Sequence, residues 1–469
     1  MIGKQGILDR AAEWQLRPDV VEKDYVLGWL LWGIGSEPAI RQHWVFKGGT
    51  CLKKCYIETY RFSEDLDFTV PEDGPLGPDD VLPILRAMLA RVNQESGIDF
   101  AVEGPRLALR PGRRAAEGRV YYVGPRATPG PARVKLDLDA EERLFVEPEW
   151  RPIAHSYDDV LPDPATVRCY SYIEVFAEKL RAMAERGRPR DLYDIINLFR
   201  RSDLRPDPRE LQSLLADKCG HKRLPVPTLA SLLSSASQGE LATEWENMLA
   251  HQLPQLPPFS AFWDELVTLF NWLQRVAEPK ILPLPPVIGA PSAWTPAPTI
   301  RTWGTSAVEQ LRFAAQNRLL VEFGYVDEKG RFSHRRAEPY SLRETTEGNV
   351  LVGVHDVNRD RWRFLRVDRI ENLRISKESF EPRYDAQVGS AGVVLGPRAT
   401  PLRRPKAAPR RSRARKGRRS LGPPRRIIQC PVCEKRFYRD KYDTRLREHK
   451  APGGWKCSGR TGIYLGMTN

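Results

Sequence analysis

Two stretches of this chain cannot pack into a core, and they fix how many units the rest can form. Residues 279–299, PKILPLPPVIGAPSAWTPAPT, hold seven prolines and read as a semi-stiff linker. Residues 398–426 hold eleven Arg and two Lys with no acid, among Pro, Ala, Ser and Gly, which leaves too little apolar surface to fold. Removing their +13 from the net charge of +14 leaves +1, so the folded parts are close to neutral. A mere spacer has no need of uniform sign, so the segment reads as a polybasic arm that neutralises nucleic-acid phosphates. The division expected is a domain over 1–275, a Pro-rich linker over 276–300, a second domain over 301–385, a polybasic linker over 386–427 and a small unit over 428–469.

Aliphatic and aromatic residues are 41% of the 469, enough for ordinary domain cores. No apolar run approaches the roughly 20 residues of a membrane-spanning helix. Lys4, Asp9 and Arg10 precede any apolar stretch, unlike a secretory signal. Membrane and secreted classes are excluded on these grounds, and a cytoplasmic protein is expected. Seven cysteines are too few for a disulfide framework. Cys430, Cys433 and Cys457 cluster near the end, whereas Cys51, Cys55, Cys169 and Cys219 read as small hydrophobic packing residues.

Within 1–275 the pattern is mixed. Val20 to Leu31 has helical spacing, Trp44–Phe46, Leu66–Val70 and Arg133–Asp139 read as strands, and Thr50–Tyr60 reads as a helix. From Ser171 to about Trp272 the pattern is helical, which predicts an α+β domain with a helical lobe. The stretch FKGGTCLKKCYIETYRFSEDLDF carries the chemistry. Gly48 and Gly49 follow a strand and open a helix, so backbone amides can approach phosphates. Asp65 and Asp67 are two apart on a strand and project from one face, where they repel unless a cation lies between them. Mg²⁺ takes carboxylate oxygens together with substrate phosphates. A third acid on the strand KLDLD completes the set, and Asp137 and Asp139 have the same facing. Such equipment serves metal-assisted transfer of a nucleotidyl group. Lys47, Lys53 and Lys54 read equally as electrostatic guides or as solvated lysines. Taken alone, Arg190, Asp191 and Asp194 on one helix read as surface ion pairs.

These residues resemble the AbiEii/AbiGii-type toxin nucleotidyltransferases of the polymerase-beta-like superfamily, over most of 1–275. VVEKDYVLGWLL looks like the family's opening helix, and FKGGT, RFSEDLD and RDLYD follow in family order. The resemblance implies that Lys47, Gly48, Gly49, Thr50 and Ser63 bind the NTP, and that Asp65 and Asp67 hold catalytic Mg²⁺. Lys179 would meet the phosphates from the helical lobe, and Asp191 would act as base or orient the acceptor. The implied acceptor is RNA, particularly tRNA, with DNA as the other nucleic-acid class. Toxin action, phage defence and a cognate antitoxin follow from the same resemblance. Family members are usually one domain, so the sequence beyond about 275 is a departure.

Residues 306–382 run as a helix and then LLVEFGYV, RRAEPYSL, NVLVGVHD and RWRFLRVDRI. This resembles the WYL domain, a small Sm-like β-barrel module of bacterial regulators. Arg335, Ala337 and Pro339 match its R-x-V-x-P segment, and Arg363, Arg366 and Arg369 its last strand, while Asn349-Val350-Leu351 replaces the name-giving triplet. Period-2 alternation puts Arg363 and Arg369 on one face and Arg366 on the other. Arg335 with Arg363 or Arg369 is expected to form a cationic pocket for phosphate or nucleic acid.

In the last unit, CPVC is a knuckle pair, His449 follows Cys433 by sixteen residues, and Cys457 follows His449 by eight. Cys430, Cys433, His449 and Cys457 make a tetrahedral structural Zn²⁺ set, similar to a CCHC-type zinc finger. Phe437, Tyr438 and Tyr442 are there to pack its core or stack on bases. The leading expectation is a Mg²⁺-dependent transferase of NMP from NTP to nucleic acid. The alternative is a nucleic-acid-binding regulator on a non-catalytic nucleotidyltransferase scaffold.

Overall fold

The computed structural model describes residues 2–57, 60–234, 237–276, 306–344, 349–384, 386, 388, 426–441, 443–451 and 456–467. Apart from a few end residues, the Pro-rich linker and the polybasic arm lie outside these. The chain forms two compact units, 1–402 and 403–469.

The first unit opens with α1 (Lys4–Trp14) and α2 (Pro18–Ser36). Pro18 starts α2, where its missing N–H is harmless. From Val20 to Gly35 α2 is buried almost all round, as a helix apolar on every side must be. Its acid Asp24 is matched at 2.8 Å by Lys54, which is therefore neither solvated nor a substrate guide. Lys53 is also buried, its ammonium 3.8 Å from the centre of the Phe62 ring.

α2 packs on a seven-stranded mixed sheet. Its strands are β1 (Val45–Lys47), β2 (Asp65–Thr69), β3 (Arg106–Leu109), β4 (Ala115–Tyr122), β5 (Ala132–Asp139), β6 (Glu149–Pro152) and β7 (Thr166–Cys169), in spatial order β3-β4-β5-β2-β1-β7-β6. The strands expected from the sequence are β1, β2 and β5, three neighbours at the centre. β2 runs antiparallel to β1 and parallel to β5. The helix expected over Thr50–Tyr60 is shorter: α3 (Gly48–Cys51) passes into a π turn over Leu52–Tyr56. α4 (Pro78–Ser96) joins α2 on the sheet.

The helical lobe follows: α5 (Tyr172–Arg186), α6 (Pro189–Arg200), α7 (Pro208–His221), α8 (Leu229–Ser234), α9 (Ser237–Leu249), α10 (Phe259–Trp263) and α11 (Glu265–Leu273). Ser171 caps α5, its hydroxyl accepting from the Glu174 amide. α12 (Ser306–Asn317) lies against this lobe: Tyr193 on α6 donates to Asn317 Oδ1 at 2.8 Å. Glu265 on α11 is shared by Arg200 at 2.8 Å and Arg318 at 2.7 Å.

After α12 come β8 (Leu319–Val326), β9 (Phe332–Glu344), β10 (Val350–Asp356), β11 (Arg361–Arg366) and β12 (Ile370–Ser379), in spatial order β11-β10-β9-β8-β12. Here the expectation of a β-barrel needs correction, because β11 and β12 are the two edges and no ladder joins them among the described residues. A 3₁₀ turn over Val367–Arg369 connects them. It also removes Arg369 from the strand, so the predicted sharing of a face with Arg363 does not hold. The second unit has β13 (Arg426–Gln429), β14 (Arg436–Arg439) and β17 (Ile463–Met467) in one sheet, and β15 (His449–Lys450) paired with β16 (Lys456–Cys457).

Candidate active site

The acids converge at the middle of the large sheet. Asp65 and Asp67 alternate on β2 with buried Leu66 and Phe68, which anchor that strand in the core. The parallel register sets Asp137 of β5 level with Asp67, and Asp139 level with Thr69. Burial raises Asp67 to about 6; Asp65 and Asp137 add to the rise while Lys47 and Lys179 oppose it. Asp65 is raised too, first by burial. Arg110 holds Asp137 at 2.8 Å and Lys135 at 3.3 Å. Asp139 accepts from the Glu141 amide at 2.8 Å and lies 3.9 Å from Lys47.

The glycine pair closes over these acids. Gly48 has φ +82, and a Cβ there would meet Asp67 Oδ2 at 2.4 Å, so both the backbone and the space demand glycine. A Cβ on Gly49 would meet Arg61 Nη2 at 2.4 Å and Ser63 Oγ at 3.2 Å, which places Ser63 beside the turn. Thr50 is buried, and its hydroxyl donates to the Asp65 carbonyl at 2.6 Å. It ties the turn to β2.

Lys179 and Asp191 sit in a buried network. Lys179 Nζ is 2.8 Å from Asp194 and 3.7 Å from Asp191. Asp191 is fully buried and accepts from Arg186 through both oxygens at 2.8 Å. Asp194, equally buried, takes a two-pronged contact from Arg61 at 2.8 and 2.9 Å and a hydrogen bond from Tyr60. Burial alone would raise Asp194, but Arg61 and Lys179 outweigh it and hold the carboxyl well below the usual range. These are therefore not the surface pairs that the helix pattern indicated. Arg61, Tyr60 and Glu178 escaped the sequence reading. Burial would also raise Glu178, yet Lys47, Lys218, Lys179 and Arg181 bring it down. Arg190, read from the sequence only as part of a surface ion pair, is lowered by burial and by Arg61, and feels Asp65, Asp194 and Glu64 as attractions.

A second constellation lies on the five-stranded sheet. A cavity of about 600 Å³ is lined by Arg331, Arg335, Arg359, Arg361 and Arg363 with Phe332 and Phe364. Arg335 is matched by Asp356 at 2.7 Å and Arg331 by Asp327 at 2.7 Å. Burial and the neighbouring Arg361, Arg335 and Arg359 lower Arg363. Arg366 pairs instead with Asp368 at 2.6 Å, and Arg369 faces Glu328 at 3.5 Å. Of the three arginines expected to form a pocket, Arg335 and Arg363 line the cavity and Arg369 does not. Arg331, Arg359 and Arg361 are the additions.

In the second unit Cys430, Cys433, His449 and Cys457 form a group able to hold a metal ion, all ligand atoms within 4.8 Å of one another. Cys430 Sγ is 3.7 Å from Cys457 Sγ, and Cys433 Sγ is 3.3 Å from His449 Nε2. His449 Nδ1 bonds the Arg447 carbonyl at 2.8 Å, which turns Nε2 toward the sulfurs. Phe437 packs on the cluster, Tyr438 is exposed, and Tyr442 lies outside the described residues.

Among solved structures, the chain is similar to proteasome accessory factor B/C (PafBC) of Arthrobacter aurescens at 15% identity, over 63% of this chain and 41% of that one. The TM-score is 0.16, so this likeness carries no argument. No helix among the described residues is long and apolar enough to cross a membrane. The WYL domain family matches residues 306–375, which contain α12 and the arginine-lined cavity. The family described as nucleotidyl transferase AbiEii toxin, Type IV TA system, matches residues 29–267, just over half of the chain and all of the acid and glycine elements. With those elements assembled on one sheet, the chain belongs to the AbiEii nucleotidyl transferase toxin family, and a WYL domain follows its helical lobe.

Proposed function

We propose that the protein is a Mg²⁺-dependent nucleotidyltransferase that moves an NMP from an NTP to RNA, acting as a toxin restrained by a cognate antitoxin. The observation that carries this is the grouping of Asp65, Asp67 and Asp137 under Gly48. Half-buried carboxylates that repel one another fit a divalent cation, and burial followed by the charges of Asp65 and Asp137 raises Asp67 despite Lys47 and Lys179. Bound there, Mg²⁺ supplies charge neutralisation for the α-phosphoryl group. Asp137 is the third acid, since it is level with Asp67 whereas Asp139 is displaced by two register positions.

The remaining groups position the substrates. The amides at Gly48 and Gly49, with Ser63, face the triphosphate. Lys179 is already matched by two carboxylates, so Arg190, which feels Asp65 and Glu64, is the cation that meets the phosphates. Asp191 and Asp194 hold Arg186, Lys179 and Arg61 in place. An acceptor hydroxyl attacks the α-phosphorus, its proton passes to a carboxylate of the group, and pyrophosphate leaves as the α–β bond breaks. Pyrophosphate release from NTP should therefore require both Mg²⁺ and RNA. Release that proceeds equally without RNA would point to hydrolysis instead.

The rest of the chain recruits nucleic acid. The four-ligand group of the second unit holds structural Zn²⁺, whose loss should unfold that small unit. Cys430→Ser should lower the metal content by one zinc per chain, measured by atomic absorption; unchanged content would place the ligands elsewhere. Deleting 386–469 removes the polybasic arm and should flatten the salt dependence of RNA binding while leaving NTP turnover at saturating RNA intact. An unaltered salt slope would make the arm a tether only. The alternative, a regulator on a silent scaffold, draws on the arginine cavity with its aromatic walls. The half-buried, mutually repelling metal acids count against it, because a scaffold would be more stable without them.

A further inference from the structure

The large unit contains a thiol cluster that its nucleotidyltransferase chemistry does not use. Cys51 ends α3, three residues after Gly48, and Cys55 lies in the π turn that follows. Cys169, the last residue of β7, arrives from 118 positions farther along the sequence. All three are free and buried, and their Sγ atoms lie within 4.8 Å of one another. From the sequence Cys169 reads only as a small hydrophobic packing residue. It pairs across the β1–β7 ladder with Phe46, and so closes on the helix that carries the other two.

The surroundings suit a cation held by thiolates. The Arg151 guanidinium lies 4.6 Å from the centre of the Tyr56 ring and reaches the Cys55 carbonyl at 3.3 Å. The Cys169 thiol donates to Tyr56 Oη at 4.0 Å and Tyr56 donates to the Tyr170 carbonyl at 2.6 Å, so loss of the thiol proton frees a lone pair of the phenol oxygen. Tetrahedral zinc with Zn–S bonds of about 2.3 Å has sulfur–sulfur edges of about 3.8 Å, within a small contraction of this cluster. Three thiolates around a divalent ion carry one net negative charge, and Arg151 offsets it. Thiolate ligands select soft or borderline d¹⁰ cations over Mg²⁺.

We infer that Cys51, Cys55 and Cys169 form a second metal site, for a thiophilic divalent d¹⁰ cation such as Zn²⁺, with its fourth position toward the Tyr56 hydroxyl. Binding displaces three thiol protons to solvent and forms three metal–sulfur bonds. The ion staples the end of β7 to the helix opened by Gly48 and Gly49, and so stiffens the turn assigned to the triphosphate. The site stands on the thiol geometry and holds whether or not that assignment does.

Cd²⁺ is the probe, because its thiolate bonds give a charge-transfer absorption. The full-length protein, reduced and stripped of metal, should take up two equivalents with that absorption. Cys51→Ser and Cys169→Ser should each lose one equivalent and keep the other, whereas Cys430→Ser should lose the one that those variants keep. Bound Cd²⁺ should also raise the thermal midpoint of Cys430→Ser. If a serine variant at a core position fails to fold by circular dichroism, Cys55→Ala, at the least buried of the three, carries the same expectation. Uptake of a single equivalent that vanishes in Cys430→Ser would overturn the proposal, leaving the three thiols as packing groups. So would a second equivalent that survives Cys51→Ser, Cys55→Ala and Cys169→Ser.

Discussion

Asp67→Asn should abolish nucleotidyl transfer and at the same time raise the stability of the metal-free protein. Burial and the charge of Asp65 raise the Asp67 carboxyl to about 6, above its unfolded value of 3.8. A group raised on folding loses stability as the pH climbs through that interval. The penalty is therefore absent below about pH 4 and complete above about pH 6. Removing the charge should return about 1–2 kcal/mol at pH 7, since part of a two-unit shift is screened where the carboxylate reaches solvent. Transfer should fall by on the order of 10³-fold or more, because the metal loses a ligand. Thermal melts of the apoprotein at pH 4 and pH 7, with a transfer assay at pH 7, check both halves. A variant that is destabilised at pH 7 would mean that Asp67 is a structural acid.

Asp194→Ala should produce the largest loss of stability of any single change in the helical lobe. It strips the two-pronged countercharge from Arg61, buried with 3% of its side chain exposed, and leaves Lys179, at 8%, only the more distant Asp191 at 3.7 Å. Removing one partner of a buried ion pair costs about 3–5 kcal/mol, because the other charge stays buried and uncompensated. That is a large share of the 5–15 kcal/mol of a typical domain. The urea midpoint should fall with an unchanged m-value. Asp194 is lowered on folding, so its contribution is fully present above the unfolded value of 3.8 and is lost only as the pH falls further. A cost below about 1 kcal/mol would show that the network is solvated and open.

The parts of this molecule that the sequence made legible are those whose chemistry is local. Asp65 and Asp67 alternate with apolar residues, so a period of two gave the strand and the face together. Gly48 marked the strand-to-helix turn, and the structure adds a φ of +82 there that other residues reach only under strain. The Asp191–Asp194 helix was opaque because what decides its burial lies far away: Arg61 is 133 positions from Asp194. Acids spaced three apart next to arginines look the same on a wet surface. Cys169 was opaque for the same reason. Period-2 reasoning failed at Arg369 because the chain leaves the strand at Arg366 for a 3₁₀ turn, and alternation does not survive a turn. The same turn separates β11 from β12 and leaves the sheet open, where the WYL resemblance implied a barrel.

The most direct test is to incubate the full-length protein with each common NTP, labelled at the α-phosphate, together with total RNA and Mg²⁺, and to follow where the label goes. The account predicts label in RNA with at least one NTP, dependent on Mg²⁺ and absent with Asp67→Asn at matched folded concentration. Label that reaches RNA equally well with Asp67→Asn, or RNA that stays unlabelled with every NTP while the protein binds both substrates, would contradict it.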